Sequence, residues 1–461
     1  MRDQAHQGDD RHLTQRQREL AHHRDARVQV HEERREEDKS RRPGQTDRPE
    51  RRCQDLADGR EHPCPPQQQD DERDREHDEQ QPHRGTETGD ETASHRLHES
   101  LHPAIVAQRS RTVAAVPADS MTPTIGSGYH DGMRALTIRE PRSIAIETVE
   151  TPPLAPDELL VRVSACGICG TDLHIYEGSY MGSYPVVPGH EFAGSVESVG
   201  SKVRRFSAGD RVAVEPNLPC NNCDACLNNR QNFCENWQAV GVTRAGAMAE
   251  YVAVPESAAF EIGSLSFEEA AFVEPLSCVV HGLRKLTIRP GSSAAVVGAG
   301  PIGVLLMRTL RACGVTRIEA AERNPARREF AGRALGIPVV TDATELRQDE
   351  YDIVVDATGV PAAMAHTLEA ARPGAEILWF GVPDSDARIG FEPFAVFRKG
   401  LSIHGSFTSV RNTIEAIELL ATGAVPVTDL VSHRVGLDEV ESMFGILAGG
   451  SADALKILVL P

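Results

Sequence analysis

The pattern of apolar and polar positions divides the chain near residue 130. From Met133 the text "MRALTIREPRSIAIETVETPPLAPDELLVRV" alternates β-branched and polar residues between turn prolines, which predicts strands. Further on, "GSSAAVVGAGPIGVLLMRTLRACGV" predicts a buried strand over Ala294–Val297, a glycine turn and an apolar helix closing near Gly314. Apolar runs recur at "TRIEA", "IPVVT", "YDIVVDATG", "AEILWFG" and "LSIHGSF", interleaved with helical stretches such as "PAAMAHTLEAA". Six strands joined by crossovers predict an α/β domain with a doubly wound parallel sheet over about residues 280–405. Upstream, a stretch such as "HEERREEDKSRRPGQTDRPERR" has too little apolar surface to offset the entropy of ordering it. Residues 1–132 are therefore expected to be a disordered extension.

Composition supports the division. Residues 1–132 hold twelve of the eighteen histidines, no Phe or Trp, and Tyr129 as their only aromatic residue. They carry 21 basic and 28 acidic side chains, against 28 and 40 in the remainder. Both parts are acidic, and a formal charge of −19 argues against nucleic acid or an anionic membrane as partner. No run approaches the ~18 apolar residues of a membrane span, and the N-terminus lacks the apolar core of a secretion signal. The expectation is a soluble, cytoplasmic chain. Two accounts of the extension stand: upstream sequence read through from a start before Met133, or an interaction arm.

"CNNCDACLNNRQNFC" places Cys220, Cys223, Cys226 and Cys234 at the spacing C-x2-C-x2-C-x7-C. Disulfides do not suit a reducing cytoplasm. Bacterial iron–sulfur runs have a shorter last gap followed by proline, whereas Glu235 follows here. Four thiolates satisfy tetrahedral Zn²⁺ and leave no position for water or substrate, so this lobe, residues 218–236, reads as a structural zinc site. A closed site cannot catalyse.

A second set of ligand-type residues lies around it. "SACGICGTDLHIYEG" offers Cys169, "VPGHEFAG" offers His190 and Glu191, and "FVEPLSCVVHG" offers Glu274. Taken singly each has a plain structural reading, as do Cys166 (a small buried apolar residue) and His281 (core or cap). In the cofactor half, a strand precedes Gly298, Gly300 and Gly303 and a helix follows them, which turns a weak motif into a dinucleotide fingerprint. Glu322, twenty-four residues after Gly298, suits the ribose hydroxyls and favours NAD, while Arg323 beside it suits the extra phosphate of NADP.

From about Met133 to Pro461 these motifs, in this order, resemble the zinc-dependent medium-chain alcohol dehydrogenases, most closely the polyol branch that includes sorbitol (iditol) and threonine dehydrogenases. The resemblance rests on GICGTDLH, PGHEFAG, the four-cysteine lobe, EPLSC and the glycine fingerprint. It implies a GroES-like β-barrel catalytic domain over 133–279 and 406–461 and a Rossmann cofactor domain over 280–405. It also implies two zincs per chain, NAD or NADP, and a homo-oligomer, a dimer or tetramer.

Carried over by position, Cys169 and His190 become catalytic zinc ligands with Glu191 or Glu274 as the third. Thr171 would bond the substrate oxygen and begin a proton relay ending at His174, and Asp172 would orient His190. Gly298, Gly300, Pro301, Ile302, Gly303, Glu322 and Arg323 would hold the cofactor. The implied reaction is oxidation of a secondary alcohol, a polyol or sugar alcohol, to a ketone through a zinc-held alkoxide and hydride transfer. Bound Zn²⁺ lowers the pKa of a water ligand from about 16 to roughly 7, the kind of shift an alcohol needs before its carbon gives up hydride. Oxidation of an aldose, of threonine or of a sugar-alcohol phosphate is the alternative within the family. Polyol members can carry an arginine after the last cofactor-domain strand, but this chain reads "GSFTSVRN", with Thr408 and Ser409 there and Arg411 as a nearby candidate. A reading from another class, a zinc-ribbon binding module with a recruiting arm, requires a basic face that the charge balance does not provide.

Overall fold

The computed structural model of the chain describes residues 132–180, 183–448 and 454–461. The expectations of disorder and of an early start concern residues that, Gly132 apart, lie outside the described ones. Two sheets carry the architecture. Six parallel strands run in the order Val339–Val340, Arg317–Ala321, Ser293–Val297, Tyr351–Asp356, Ala371–Trp379 and Ser402–Gly405. The strand of this sheet that comes first in sequence, Ser293–Val297, sits in the middle, paired with Arg317–Ala321 on one side and Tyr351–Asp356 on the other. All five of its residues are buried, as a parallel strand covered on both faces by helices must be.

Local sequence explains the helices that cover it. Gly300 caps the helix Pro301–Ala312, whose proline occupies the first position, where no N–H is needed. Val304, Leu305, Leu306, Met307 and Leu310 then fall inward and share one core with Val296 and Ile353. Helix Pro325–Leu335 begins at Asn324, whose side-chain oxygen accepts from the N–H groups of Ala326 (3.0 Å) and Arg327 (3.1 Å). It stops at Gly336 in the left-handed region.

The second sheet has seven strands. Along its main path the order is Val431–Val435, Lys456–Val459, Glu158–Gly167, Glu191–Val199, Arg211–Val214 and Ala259–Glu261, while Tyr251–Pro255 pairs separately with Glu158–Gly167. Leu159, Val161, Phe192, Val212, Val254 and Ile457 fill its interior. A hairpin, Met133–Glu140 with Ser143–Val149, closes against it through bridges at Ala135–Ala249 and Ile138–Val186. The first two strands in that order, Val431–Val435 and Lys456–Val459, come from the end of the chain, so the sequence leaves this sheet, builds the parallel one and returns. On the return, the helix Thr413–Ala421 places Ala416 and Leu420 in the core of the parallel sheet.

The glycine turn of the fingerprint is sterically determined. Gly298 has φ 95°, and a Cβ on Gly303 would fall onto the Gly298 carbonyl oxygen. The helix can approach the strand only because residue 303 lacks a side chain. Gly303→Ala is expected to force them apart and to lower stability by about 1–3 kcal/mol. Urea denaturation checks this, and an unchanged midpoint would refute the packing argument.

Candidate active site

The strand Glu158–Gly167 ends beside the site, and two residues later Cys169 becomes the N-cap of the helix Gly170–Glu177. Asp172, at the third position of that helix, turns back so that its Oδ2 accepts from the Cys169 N–H at 2.8 Å. Its Oδ1 accepts from the Gly189 N–H at 3.1 Å and lies 3.4 Å from Nδ1 of His190. One carboxylate with no solvent exposure thus ties together the loop carrying the cysteine and the loop carrying the histidine. Glu191 opens the next strand, opposite Gly167 in the antiparallel register. A Cβ at Gly167 would collide with the Glu191 carboxylate, so glycine there leaves the space that the glutamate fills.

The outcome is a cluster in which ligand atoms of Cys169, His190 and Glu191 lie within 4.8 Å of one another. Burial alone would pull the His190 imidazole down, but the acidic groups of Asp172 and Cys169 raise it well above its ordinary value. Glu191 accepts from Nζ of Lys456 at 2.5 Å, and the same ammonium donates to the Ile168 carbonyl at 3.2 Å. Burial works against the Lys456 charge and the Glu191 carboxylate supports it, with a net rise. Glu274, in the first turn of the helix Val273–Leu283, stands outside the three-residue cluster. Burial chiefly raises it to about 7, with the Glu191 and Glu215 charges acting in the same direction. Cys278, one turn later, donates its thiol to Glu274 Oε1 at 3.3 Å.

The structure therefore brings together Cys169, His190, Glu191 and Asp172, with Glu274 within electrostatic reach. Thr171 follows Cys169 in the same helix, and His174, one turn on and partly exposed, has Nδ1 3.3 Å from Ser179 Oγ. Lys456 and Tyr180 escaped the sequence reading. Tyr180 is half-buried, and the charges of His190 and Cys169 act on it. Lys456 carried a signal in retrospect, as the lone charge in the apolar terminal run "LKILVLP".

The four cysteines converge in the same way, with ligand atoms within 4.8 Å of one another and no disulfide among them. Backbone N–H groups, that of Asn222 first, draw the Cys220 thiol down to about 6, which favours the thiolate a metal requires. Both donor sets suit zinc: four thiolates in a closed site, and thiolate, imidazole and carboxylate in one with an open position.

In the parallel sheet, Glu322 faces the fingerprint. Its Oε2 accepts from the Ala299 N–H at 2.7 Å and its Oε1 from the Asn324 N–H at 2.8 Å. Arg323 is 84% exposed and lies 3.4 Å from Asp342. The Gly300 backbone is open to close approach, since a Cβ there would meet only an Arg327 nitrogen at 3.6 Å. This is the cradle a dinucleotide pyrophosphate requires.

Comparison with known proteins agrees with this geometry. Residues 155–264 match the alcohol dehydrogenase GroES-like domain, and residues 301–422 match the zinc-binding dehydrogenase domain. D-arabinitol dehydrogenase 1 of Uromyces fabae is 33% identical over 341 residues, which cover 71% of this chain and 97% of that relative. The chain belongs to the zinc-dependent medium-chain alcohol dehydrogenases, in their polyol branch. D-altritol 5-dehydrogenase of Agrobacterium fabrum is 38% identical over 320 residues, covering 68% of this chain and 95% of its own. A zinc-binding dehydrogenase from Sinorhizobium meliloti, solved with NADP, has 34% identity and a TM-score of 0.69, covering 72% of this chain and all of that one. Membership of this family accounts for the pairing of a GroES-like sheet with a Rossmann sheet. Among the described residues, no helix is long and apolar enough to cross a membrane.

If Asp172 sets the histidine for metal binding, Asp172→Asn should weaken metal affinity at the three-ligand cluster by roughly 10–100-fold while the four-cysteine lobe keeps its metal. Competition with a chromophoric chelator measures both sites, and equal affinity in variant and wild type would refute the assignment.

Proposed function

We propose that the chain oxidises a secondary alcohol of a polyol or sugar alcohol to a ketone, or catalyses the reverse reaction, with NAD preferred over NADP. The observation that carries this reading is the three-residue cluster itself, with His190 and Glu191 buried and Cys169 partly exposed, mixed in donor type and short of the fourth ligand that would close it. Cys169, His190 and Glu191 would hold the catalytic zinc, with Glu274 able to replace Glu191. Cys220, Cys223, Cys226 and Cys234 would hold a second, structural one. When bound, the catalytic zinc supplies a Lewis acid that makes an alcohol proton easier to remove.

The chain's own residues supply the rest. The Asp172 carboxylate lies 3.4 Å from Nδ1 of His190, where it would favour a proton on that nitrogen and leave Nε2 as the ligand atom. Thr171, two residues beyond Cys169, would bond the alcohol oxygen and take its proton, and His174 would deliver that proton to solvent. Lys456 holds Glu191 in place by a buried ion pair, and Glu274 offers a second carboxylate whose raised pKa suits it to change charge near neutrality. Gly298, Gly300, Pro301, Ile302 and Gly303 would seat the pyrophosphate, Glu322 the adenosine ribose, and Arg323 would be the residue to turn inward if NADP were used.

Relatives named for arabinitol, altritol and sorbitol support a polyol as substrate. Aldose, threonine or sugar-alcohol-phosphate oxidation remains the second reading, since Thr408 and Ser409 stand where an arginine would grip a polyol. An oligomer is supported by the outermost parallel strand, Ser402–Gly405, and the neighbouring exposed Phe391, Phe394 and Phe397.

Reduction of NAD⁺ and NADP⁺ followed at 340 nm over a panel of polyols, aldoses, threonine and phosphorylated sugar alcohols tests the reading. Turnover is expected with at least one polyol and is expected to vanish in Cys169→Ser, with the circular dichroism spectrum unchanged. Retained turnover after that substitution, with zinc lost from the cluster, would overturn it.

A further inference from the structure

The four-cysteine lobe is bonded to more than its own metal. Asn232 Nδ2 donates to the Phe407 carbonyl at 3.0 Å, Phe233 stacks on the Phe407 ring with centroids 6.2 Å apart, and Trp237 lies 6.3 Å from the same ring. Trp237 Nε1 donates to Asn217 Oδ1 at 3.0 Å, and Asn217 Nδ2 donates to Glu215 Oε1 at 2.6 Å. The other oxygen of Glu215 accepts from Ser409 Oγ at 2.8 Å and Thr413 Oγ1 at 3.0 Å. The lobe, the segment 407–413 that follows the parallel sheet, and Glu215 are therefore one hydrogen-bonded unit. Between its two anchors, Phe407 and Ser409, the chain holds Thr408 at φ 50°, a conformation that a β-branched residue adopts only when its surroundings impose it.

Glu215 also stands beside the strand that carries Glu191. It follows the strand Arg211–Val214, which runs antiparallel to the strand that Glu191 begins, with Ala213 opposite Ala193. Glu215 lies two residues past Ala213 and Glu191 two residues before Ala193, at the same end of these neighbouring antiparallel strands, and the Glu215 N–H is fixed to the Ala258 carbonyl at 2.9 Å.

We propose that Glu215 is a positioning residue that transmits the seating of the four-cysteine lobe and of residues 407–413 to the open metal site, so that the closed site influences how the alcohol is held. This rests on the oxidoreductase reading above for its kinetic arm. Because both Glu215 oxygens already hold donors, removing the carboxylate strands the buried Ser409 and Thr413 hydroxyls and frees the segment to move. Such an effect falls on alcohol binding and spares the Rossmann cradle, which among the described residues shares no hydrogen bond with this network.

The test uses the full chain with zinc in the closed lobe and cobalt(II) in the open site. Glu215→Ala, the Ser409→Ala/Thr413→Val double variant and Asn232→Ala are compared with wild type. Each is expected to raise the KM for alcohol about fivefold or more while leaving the NADH dissociation constant within about twofold. The visible band of the open-site cobalt should shift in the first two variants, and Glu215→Gln, which keeps an acceptor oxygen, should recover most of the lost affinity. If Glu215→Ala does not fold, the double variant and Asn232→Ala carry the test. A lowered Tm with wild-type alcohol KM and cobalt band would mean the network is structural only, and would overturn the proposal. Wild type that turns over no alcohol would instead defeat the oxidoreductase reading, and the cobalt band would still decide the role of Glu215.

Discussion

The site depends on one buried carboxylate. Asp172 has no access to water, yet it satisfies the N–H groups of Cys169 and Gly189 and faces the His190 ring. A carboxylate in such a place is tolerated only when every lone pair has work. By meeting that requirement it joins two loops distant in sequence and holds thiol and imidazole at ligand distance. The helix that carries it is short, and its capping box is the same set of bonds, so local helix formation and site assembly are one event.

The second constraint is charge. Glu191 is almost fully buried and sits within reach of Cys169 and of a second glutamate, Glu274, both acidic groups. Lys456 offsets part of that charge from inside the sheet, and a divalent cation would offset more. Removing either partner of such a buried pair leaves an uncompensated charge; the last strand supplies the lysine by pairing with the strand Glu158–Gly167 that leads to Cys169. The closed cluster solves the same problem differently. Backbone N–H groups ease ionisation of Cys220 and Cys223, burial works against it at Cys226, and a metal would neutralise the set.

Much of the architecture was legible because it rests on short-range rules. The strand, glycine turn and helix around Gly298, Gly300 and Gly303 follow from burial, left-handed backbone and the close approach of helix to strand, each a property of neighbouring residues. The cysteine spacing is similarly local, since all four ligands fall within fifteen residues. Cys169, His190 and Glu191 were recognisable as ligand types in the company of the other motifs, although no local rule says that residues twenty positions apart should meet.

What the sequence determined by itself was the kind of chemistry available: a closed thiolate site, a set of residues suited to an open one, and a dinucleotide cradle, each encoded by residue type and short spacing. The tertiary structure alone decided which carboxylate stands in the open cluster and what holds it. Glu191 enters because its strand pairs with Gly167, where the missing Cβ leaves room, and Lys456 arrives across a sheet from the far end of the chain. The link from the four-cysteine lobe through Asn217 and Glu215 to residues 407–413 is equally long-range. Such contacts depend on which strands lie side by side, and pairing of strands far apart in sequence is settled by burial of whole faces rather than by any neighbouring residue.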